Sequence, residues 1–139
     1  KFAYKLAWLD SLTEWLKNEL THYPQLALLG DFNIAPDDRD VWDPKGWEGN
    51  ILVSPQERAA FQHLLALGLS DSFRLFDQPE KRYTWWDYRM LGFQKNHGLR
   101  IDHILVSDAL KDRIKAVDID KTPRKWTKPS DHTPYWIEF

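Results

Sequence analysis

The sequence predicts an α/β domain: a mixed or mainly antiparallel sheet carrying helices on one face. Three observations carry that reading. Leu6, Leu9, Leu12, Leu16 and Leu20 recur at helical spacing. Ser54-Pro55-Gln56-Glu57 is a capping box with proline at the first helical position. Between and after these segments, short apolar runs bounded by glycine, proline and acidic residues read as strands. A chain of 139 residues has the size of a single domain with its own core, and no repeat, low-complexity tract or flexible linker divides it.

Taken in order, residues 5–20 form an amphipathic helix. The apolar run Leu26-Ala27-Leu28-Leu29 gives a buried strand over 26–30, ending at the Gly30 turn. Residues 31–53, punctuated by Pro36, Pro44, Gly46 and Gly49, read as irregular. The capping box opens a helix that runs to about residue 67 and stops at Gly68. Strands follow at 83–86, 100–106, 114–119 and 135–139, with a brief helical turn after Ser107. Of the eight tryptophans, Trp8, Trp15 and Trp136 are expected in the core, and Trp42 and Trp47 in the irregular segment.

Cysteine is absent, which excludes a disulfide framework and a thiolate metal site. The apolar runs are too short to span a bilayer and nothing resembles a signal peptide, so the expectation is a cytoplasmic protein with no membrane partner. Net charge is −2, but it is unevenly spread. Residues 1–80 carry 7 Lys/Arg against 13 Asp/Glu, and residues 81–139 carry 12 against 8. That division suits an enzyme gripping phosphates on one side and cations on the other, and it also suits ordinary solvated faces.

Two short acidic motifs near the ends of the chain carry the chemistry. In Gly30-Asp31-Phe32-Asn33-Ile34-Ala35-Pro36, Asp31 and Asn33 place two hard oxygen donors just past a strand end, where they suit Mg²⁺ or Mn²⁺. In Ser130-Asp131-His132-Thr133-Pro134 a carboxylate that can hold a cation adjoins an imidazole that can move a proton or bind an oxyanion. Between them Asp102 lies inside the apolar run of residues 98–106. It is costly to bury unpartnered, and a histidine elsewhere, Arg100 or Lys121 could each pair with it. Each motif has a plain alternative as an Asx-turn or a loop. All three in this order are hard to explain by turn chemistry.

With these motifs, Arg82-Tyr83-Thr84-Trp85-Trp86-Asp87-Tyr88-Arg89 and Lys128-Pro129, the chain resembles the C-terminal half of the bacterial exonuclease III family. That family lies in the apurinic/apyrimidinic endonuclease branch of the endonuclease/exonuclease/phosphatase superfamily, and the likeness runs over essentially all of residues 1–139. The resemblance implies one half of a four-layer α/β sandwich, the N-terminal half being absent. That other half would bring an Asn, a metal-binding Glu and a catalytic Tyr. A lone half is expected to expose a broad apolar face and to unfold in part, self-associate or pair with its complement.

By the same resemblance the activity is Mg²⁺- or Mn²⁺-dependent hydrolysis of DNA phosphodiesters in base-excision repair. It would act as a 3′–5′ exonuclease and an abasic-site endonuclease on abasic duplexes and 3′ ends, and the half alone would be inactive. Asp31 would take a proton from the attacking water, and Asn33 would hold a phosphate oxygen or the metal. His132 would bind a non-bridging oxygen, Asp102 would orient His132, and Asp131 would sit at the metal edge beside Asp31, Asn33 and His132. Trp85, Leu99 and Ile101 would line a pocket for a flipped-out baseless sugar, although Ile101 also reads as an ordinary core residue. Arg89, Lys95 and Arg100 could reach phosphates, with Tyr88 or Trp86 stacking nearby. His97 and His103 read as surface or packing residues. Two alternatives stay open: a phosphodiesterase or phosphatase of the superfamily acting on inositol phosphates or sphingomyelin, and a non-catalytic DNA-binding fragment.

Overall fold

The computed structural model describes residues 1–139. The leucine stripe folds as α1 (Phe2–His22), with Leu9 and Leu16 fully buried. The chain then enters β1 (Ala27–Asp31). The segment expected to be irregular holds a 3-10 turn at Asp38–Asp40 and a single helical turn, α2 (Pro44–Trp47). In α3 (Pro55–Leu65) the Ser54 hydroxyl and the Glu57 carboxylate satisfy each other's backbone N–H groups. Next come β2 (Leu69–Asp71), a strand not expected from the sequence, and a 3-10 turn at Ser72–Leu75. After them lie β3 (Trp85–Trp86), β4 (Gly98–Leu99), β5 (Asp102–Ser107), α4 (Asp108–Lys111), β6 (Ala116–Ile119) and β7 (Tyr135–Glu138).

All strand pairing is antiparallel. A three-stranded sheet has the order β1-β5-β2, and β3-β4 and β6-β7 form two further pairs. The period of two sorts β5 cleanly. Leu105 turns toward a core built from α1 and α3 residues such as Leu9, Leu16, Phe61 and Leu64. Ile104 and Val106 turn the other way, onto Leu110 and Ile114, with Val117, Tyr135 and Ile137 of the β6–β7 pair packed against them. The expectation of a broad bare sheet face is therefore corrected, because β6 and β7 cover it. What stays bare is the edge strand β1, whose Leu29 is 64% exposed.

Three tryptophans also depart from expectation. Trp8, Trp15 and Trp136 are exposed rather than core. Trp8 and Trp15 each precede a buried leucine on α1, which rotates them about 100° off the buried stripe. Trp136 alternates with Tyr135 and Ile137 and so faces outward.

The strand expected over 100–106 starts two residues later, and Gly98–Leu99 ahead of it form a separate short strand. β4 pairs with β3, and β5 begins at Asp102. Thr84 joins them: its buried hydroxyl accepts from the backbone N–H groups of Ile101 at 3.1 Å and Asp102 at 3.2 Å. Close approach at β4 requires glycine, since a Cβ on Gly98 would lie 2.8 Å from the Trp85 carbonyl oxygen.

Candidate active site

The end of β1 meets the start of β5, with Asp31 opposite Asp102 in the ladder. The third strand-like segment arrives from the C-terminal part of the chain. His132 bridges Trp85, the Trp86 N–H donates to the Asp131 carbonyl at 3.1 Å, and the Thr133 N–H donates to the Thr84 carbonyl at 2.8 Å. Three sequence-distant acidic motifs are thereby laid side by side. Ligand atoms of Asp31, Asp102 and His132 all fall within 4.8 Å of one another.

His132 is the hub. Its Nδ1–H donates to Asp102 Oδ2 at 2.8 Å, which settles the partner of Asp102 among the three open on sequence grounds. Nε2 then points into the gap between Asp31 Oδ2 at 3.6 Å and Asp131 Oδ1 at 4.0 Å. These separations are too long for direct hydrogen bonds, so the ring edge and both carboxylates face a shared opening. The hydrogen bond to Asp102 raises the His132 pKa above the ordinary histidine value, helped by the nearby charges of Asp31 and Asp131. Partial burial raises the Asp31 pKa, against the lowering effect of the Asn33 N–H that bonds its Oδ1 at 2.9 Å. Asp131 is held by the Trp85 indole, whose Nε1–H donates to its Oδ2 at 3.0 Å.

Asn33 sits on the same rim in a left-handed conformation with φ 52°, which asparagine tolerates. The loop is tied down at two consecutive carbonyls. Lys5 of α1 donates to the Asn33 carbonyl and to Glu57 of the capping box, both at 2.5 Å. His103 Nε2–H donates to the Ile34 carbonyl at 2.7 Å. Lys5, Thr84 and His103 were not assigned from sequence. A hydroxyl and an imidazole inside apolar strand runs were the available signals, since buried polar groups must find partners.

Other expected site residues lie elsewhere. Arg100 does not reach solvent: it is 1% exposed, and its guanidinium bonds Asp40 Oδ1 at 2.7 Å and Asp71 Oδ2 at 2.6 Å. Leu99 and Ile101 are buried with Ala35, Val41 and Val53, so neither lines an open pocket. Trp85 is half-buried and does line a cavity of about 560 Å³, together with Trp42, Trp47, Met90 and His97. In that wall the rings of Trp42 and His97 stack 3.7 Å apart. Arg89 is exposed at its edge and is paired with Asp87 at 2.7 Å. Lys95 and Tyr88 are exposed, while Trp86 is fully buried and cannot stack on a ligand.

Asp31 and Asp131 thus face an imidazole that Asp102 fixes, a donor set of the kind that could hold a metal ion. The chain belongs to the endonuclease/exonuclease/phosphatase family, whose model matches residues 1–132. Within that family it is similar to exodeoxyribonuclease III of Haemophilus influenzae, at 41% identity over all of this chain and 55% of that protein. Among solved structures it resembles a 3′ phosphatase from Neisseria bound to a product DNA hairpin, with TM-score 0.97 and 48% identity over 99% of this chain and 54% of that one. It also resembles an AP endonuclease from Archaeoglobus fulgidus, with TM-score 0.92 and 34% identity over 99% of this chain and 54% of the other. The chain thus spans about half the length of the relatives it matches. No helix is long and apolar enough to cross a membrane.

Proposed function

We propose that this chain supplies one half of the active site of a Mg²⁺- or Mn²⁺-dependent DNA phosphodiesterase, an exonuclease and abasic-site endonuclease of cytoplasmic DNA repair. The observation that carries the reading is the convergence of Asp31, Asp102 and His132 within 4.8 Å. DNA rather than another phosphodiester is supported by the likeness to exodeoxyribonuclease III and to a DNA-bound phosphatase. The other half of the relatives' length would complete the site from the N-terminal side, so the chain is inactive by itself.

The donor set fits a hard divalent cation. Asp31, Asp131 and the Asn33 amide would offer oxygen, while His132 Nε2, facing Asp31 and Asp131, keeps a proton and stays outside the ligand set. A bound Mg²⁺ or Mn²⁺ would supply neutralising charge to the phosphate. The chain's own residues do the rest. With Nδ1–H committed to Asp102, the raised pKa of His132 favours the form that also carries a proton on Nε2. That N–H is aimed at the opening and would bind a non-bridging oxygen as charge builds. Asn33 would hold a second phosphate oxygen. Asp31, with its pKa raised, accepts the proton of the attacking water. Water oxygen bonds to phosphorus as the bond to the leaving sugar oxygen breaks. The cavity behind Trp85, walled by Trp42 and Trp47 rather than Leu99 and Ile101, is the place for a baseless sugar.

Purified chain is incubated with Mg²⁺ and an abasic duplex, alone and with the separately produced N-terminal half of an exonuclease III relative. The expected result is no cleavage alone and cleavage in the mixture. His132→Ala should lower that activity at least about 100-fold, and Asp102→Asn by less. A mixture that ignores abasic and 3′-end DNA but hydrolyses an inositol phosphate would overturn the DNA reading.

A further inference from the structure

His132 also lines a second groove, of about 500 Å³, with Ser130, Lys128 and Trp126. Trp126 is 64% exposed there. The indole does not hang from a loose segment. Arg124, two residues earlier, is buried, with its guanidinium 4.7 Å from the Phe93 ring centre, 5.6 Å from that of Tyr88 and 5.8 Å from that of Trp86. Its Nη1–H donates to the Ser130 carbonyl at 2.9 Å. The Tyr88 hydroxyl donates to the Pro129 carbonyl at 2.7 Å. Both ends of the stretch 124–130 are therefore fixed to the core, and the same braces run into the residue before Asp131.

Two lysines flank the indole, and both are exposed. Neither Lys125 nor Lys128 forms an ion pair, although most arginines of the molecule do. Trp126 and Lys128 line the groove and Lys125 adjoins the indole in the chain; an exposed flat ring with free ammonium groups near it is the chemistry that holds a nucleic-acid strand, by stacking on a base or sugar and neutralising phosphates. The groove borders the candidate active site at His132, which lines it.

We infer that Lys125, Trp126 and Lys128 form a DNA-strand grip flanking the reacting phosphate on the His132 side. The inference rests on the DNA reading above. The lysines bind backbone phosphates and the Trp126 ring packs on the adjoining nucleotide. Because Arg124 and Tyr88 fix the loop to the segment that carries Asp131 and His132, the grip sets the register of the strand against those side chains.

The test uses the full 139-residue chain, a fluorescein-labelled duplex with a recessed 3′ end, EDTA to prevent cleavage, and anisotropy across a salt series. Trp126→Ala should weaken binding about tenfold at every salt concentration, and Trp126→Phe by no more than about threefold. Lys125→Gln and Lys128→Gln should each flatten the plot of log affinity against log salt by about 0.9. All three substituted positions carry exposed side chains, so far-UV circular dichroism of the four variants should match wild type. If wild-type chain binds DNA and the variants bind equally tightly with the same salt slope, the grip is wrong and the DNA reading stands. If wild-type chain shows no binding to DNA, the grip falls, and the DNA reading falls with it only if the mixture with the N-terminal half also leaves abasic and 3′-end DNA uncleaved. Tight binding of an acidic peptide but not of DNA would also overturn the proposal.

Discussion

Two clusters of carboxylates and bases meet β5 at neighbouring residues, His103 and Asp102, and they behave oppositely. In one, Arg100 bridges Asp40 and Asp71, Arg74 adds a second bond to Asp40 at 2.6 Å, and Arg100 Nη1–H donates to His103 Nδ1 at 3.3 Å. Asp40 and Arg100 are almost wholly buried, and the attraction of Arg100 holds the Asp71 carboxyl below the usual range despite its burial. In the other, Asp31, Asp131 and His132 keep between 31% and 39% of their side-chain surface and stand 3.6–4.0 Å apart. The first cluster spends nearly all its hydrogen-bonding capacity inside the fold, Arg74 Nε being its one buried atom without a partner, and it fixes that fold. In the second, His132 Nε2 and the facing oxygens of Asp31 and Asp131 stay partly exposed and too far apart for direct hydrogen bonds to one another. Residue types do not separate the two; burial and saturation do.

The largest effect should come from breaking the sealed cluster. Arg100→Met leaves Asp40 and Asp71 buried without their shared cation and should cost about 3–5 kcal/mol, read from the urea midpoint. A loss under about 1 kcal/mol would mean that these acids are solvated.

Next comes a pH effect of definite sign. Burial, with Arg100 adjacent, pushes the His103 pKa down to about 4. Unfolded histidine takes up its proton near pH 6.5, so the unfolded state binds more protons between those values. Stability from this group is fully present above about pH 6.5 and falls away toward pH 4, by a total on the order of 3 kcal/mol. His132 runs the other way, since its pKa is raised. Its contribution is present below about pH 6.5 and is lost as pH rises through the folded value. Imidazole titration by NMR should show His103 neutral well below the point where His132 is protonated, and Asp102→Asn should lower the His132 midpoint.

Ser54→Ala removes the cap of α3 and with it part of the Glu57–Lys5 tie to the Asn33 loop, at a cost of about 1 kcal/mol in thermal or urea unfolding. Smallest of all should be Asp31→Asn. Its carboxylate is partly buried with a raised pKa, so removing the charge should leave stability within about 0.5 kcal/mol or increase it slightly. A large loss there would make Asp31 a structural acid like Asp40.

Much of this was legible in the sequence where the signal was local. The leucine spacing of α1 and the capping box of α3 need only their own neighbours, and both helices formed within a few residues of the expected bounds. The pairing of Asp102 with a histidine was open to the argument that a buried acid needs a partner. Arg100, Leu99 and Ile101 were misread because their fate was set by distant segments. Asp40, from the 3-10 turn at Asp38–Asp40, and Asp71, at the end of β2, close over Arg100 from far away in the chain, and Val41 and Val53 cover Leu99 and Ile101. Trp8 and Trp15 carried a usable signal: each sits one position before a buried leucine, seven residues apart, on the flank of the stripe.

The claim that only the open cluster accepts a cation can be tested on this chain directly. Mn²⁺ is titrated at sub-stoichiometric amounts into ¹⁵N-labelled protein, and paramagnetic broadening is followed residue by residue. Asp31, Asn33, Asp131 and His132 should broaden first, the effect should vanish in Asp31→Asn, and Asp40 and Asp71 should respond only later as distant neighbours. Broadening centred on Asp40 and Asp71, or a pattern unchanged in Asp31→Asn, would contradict the account.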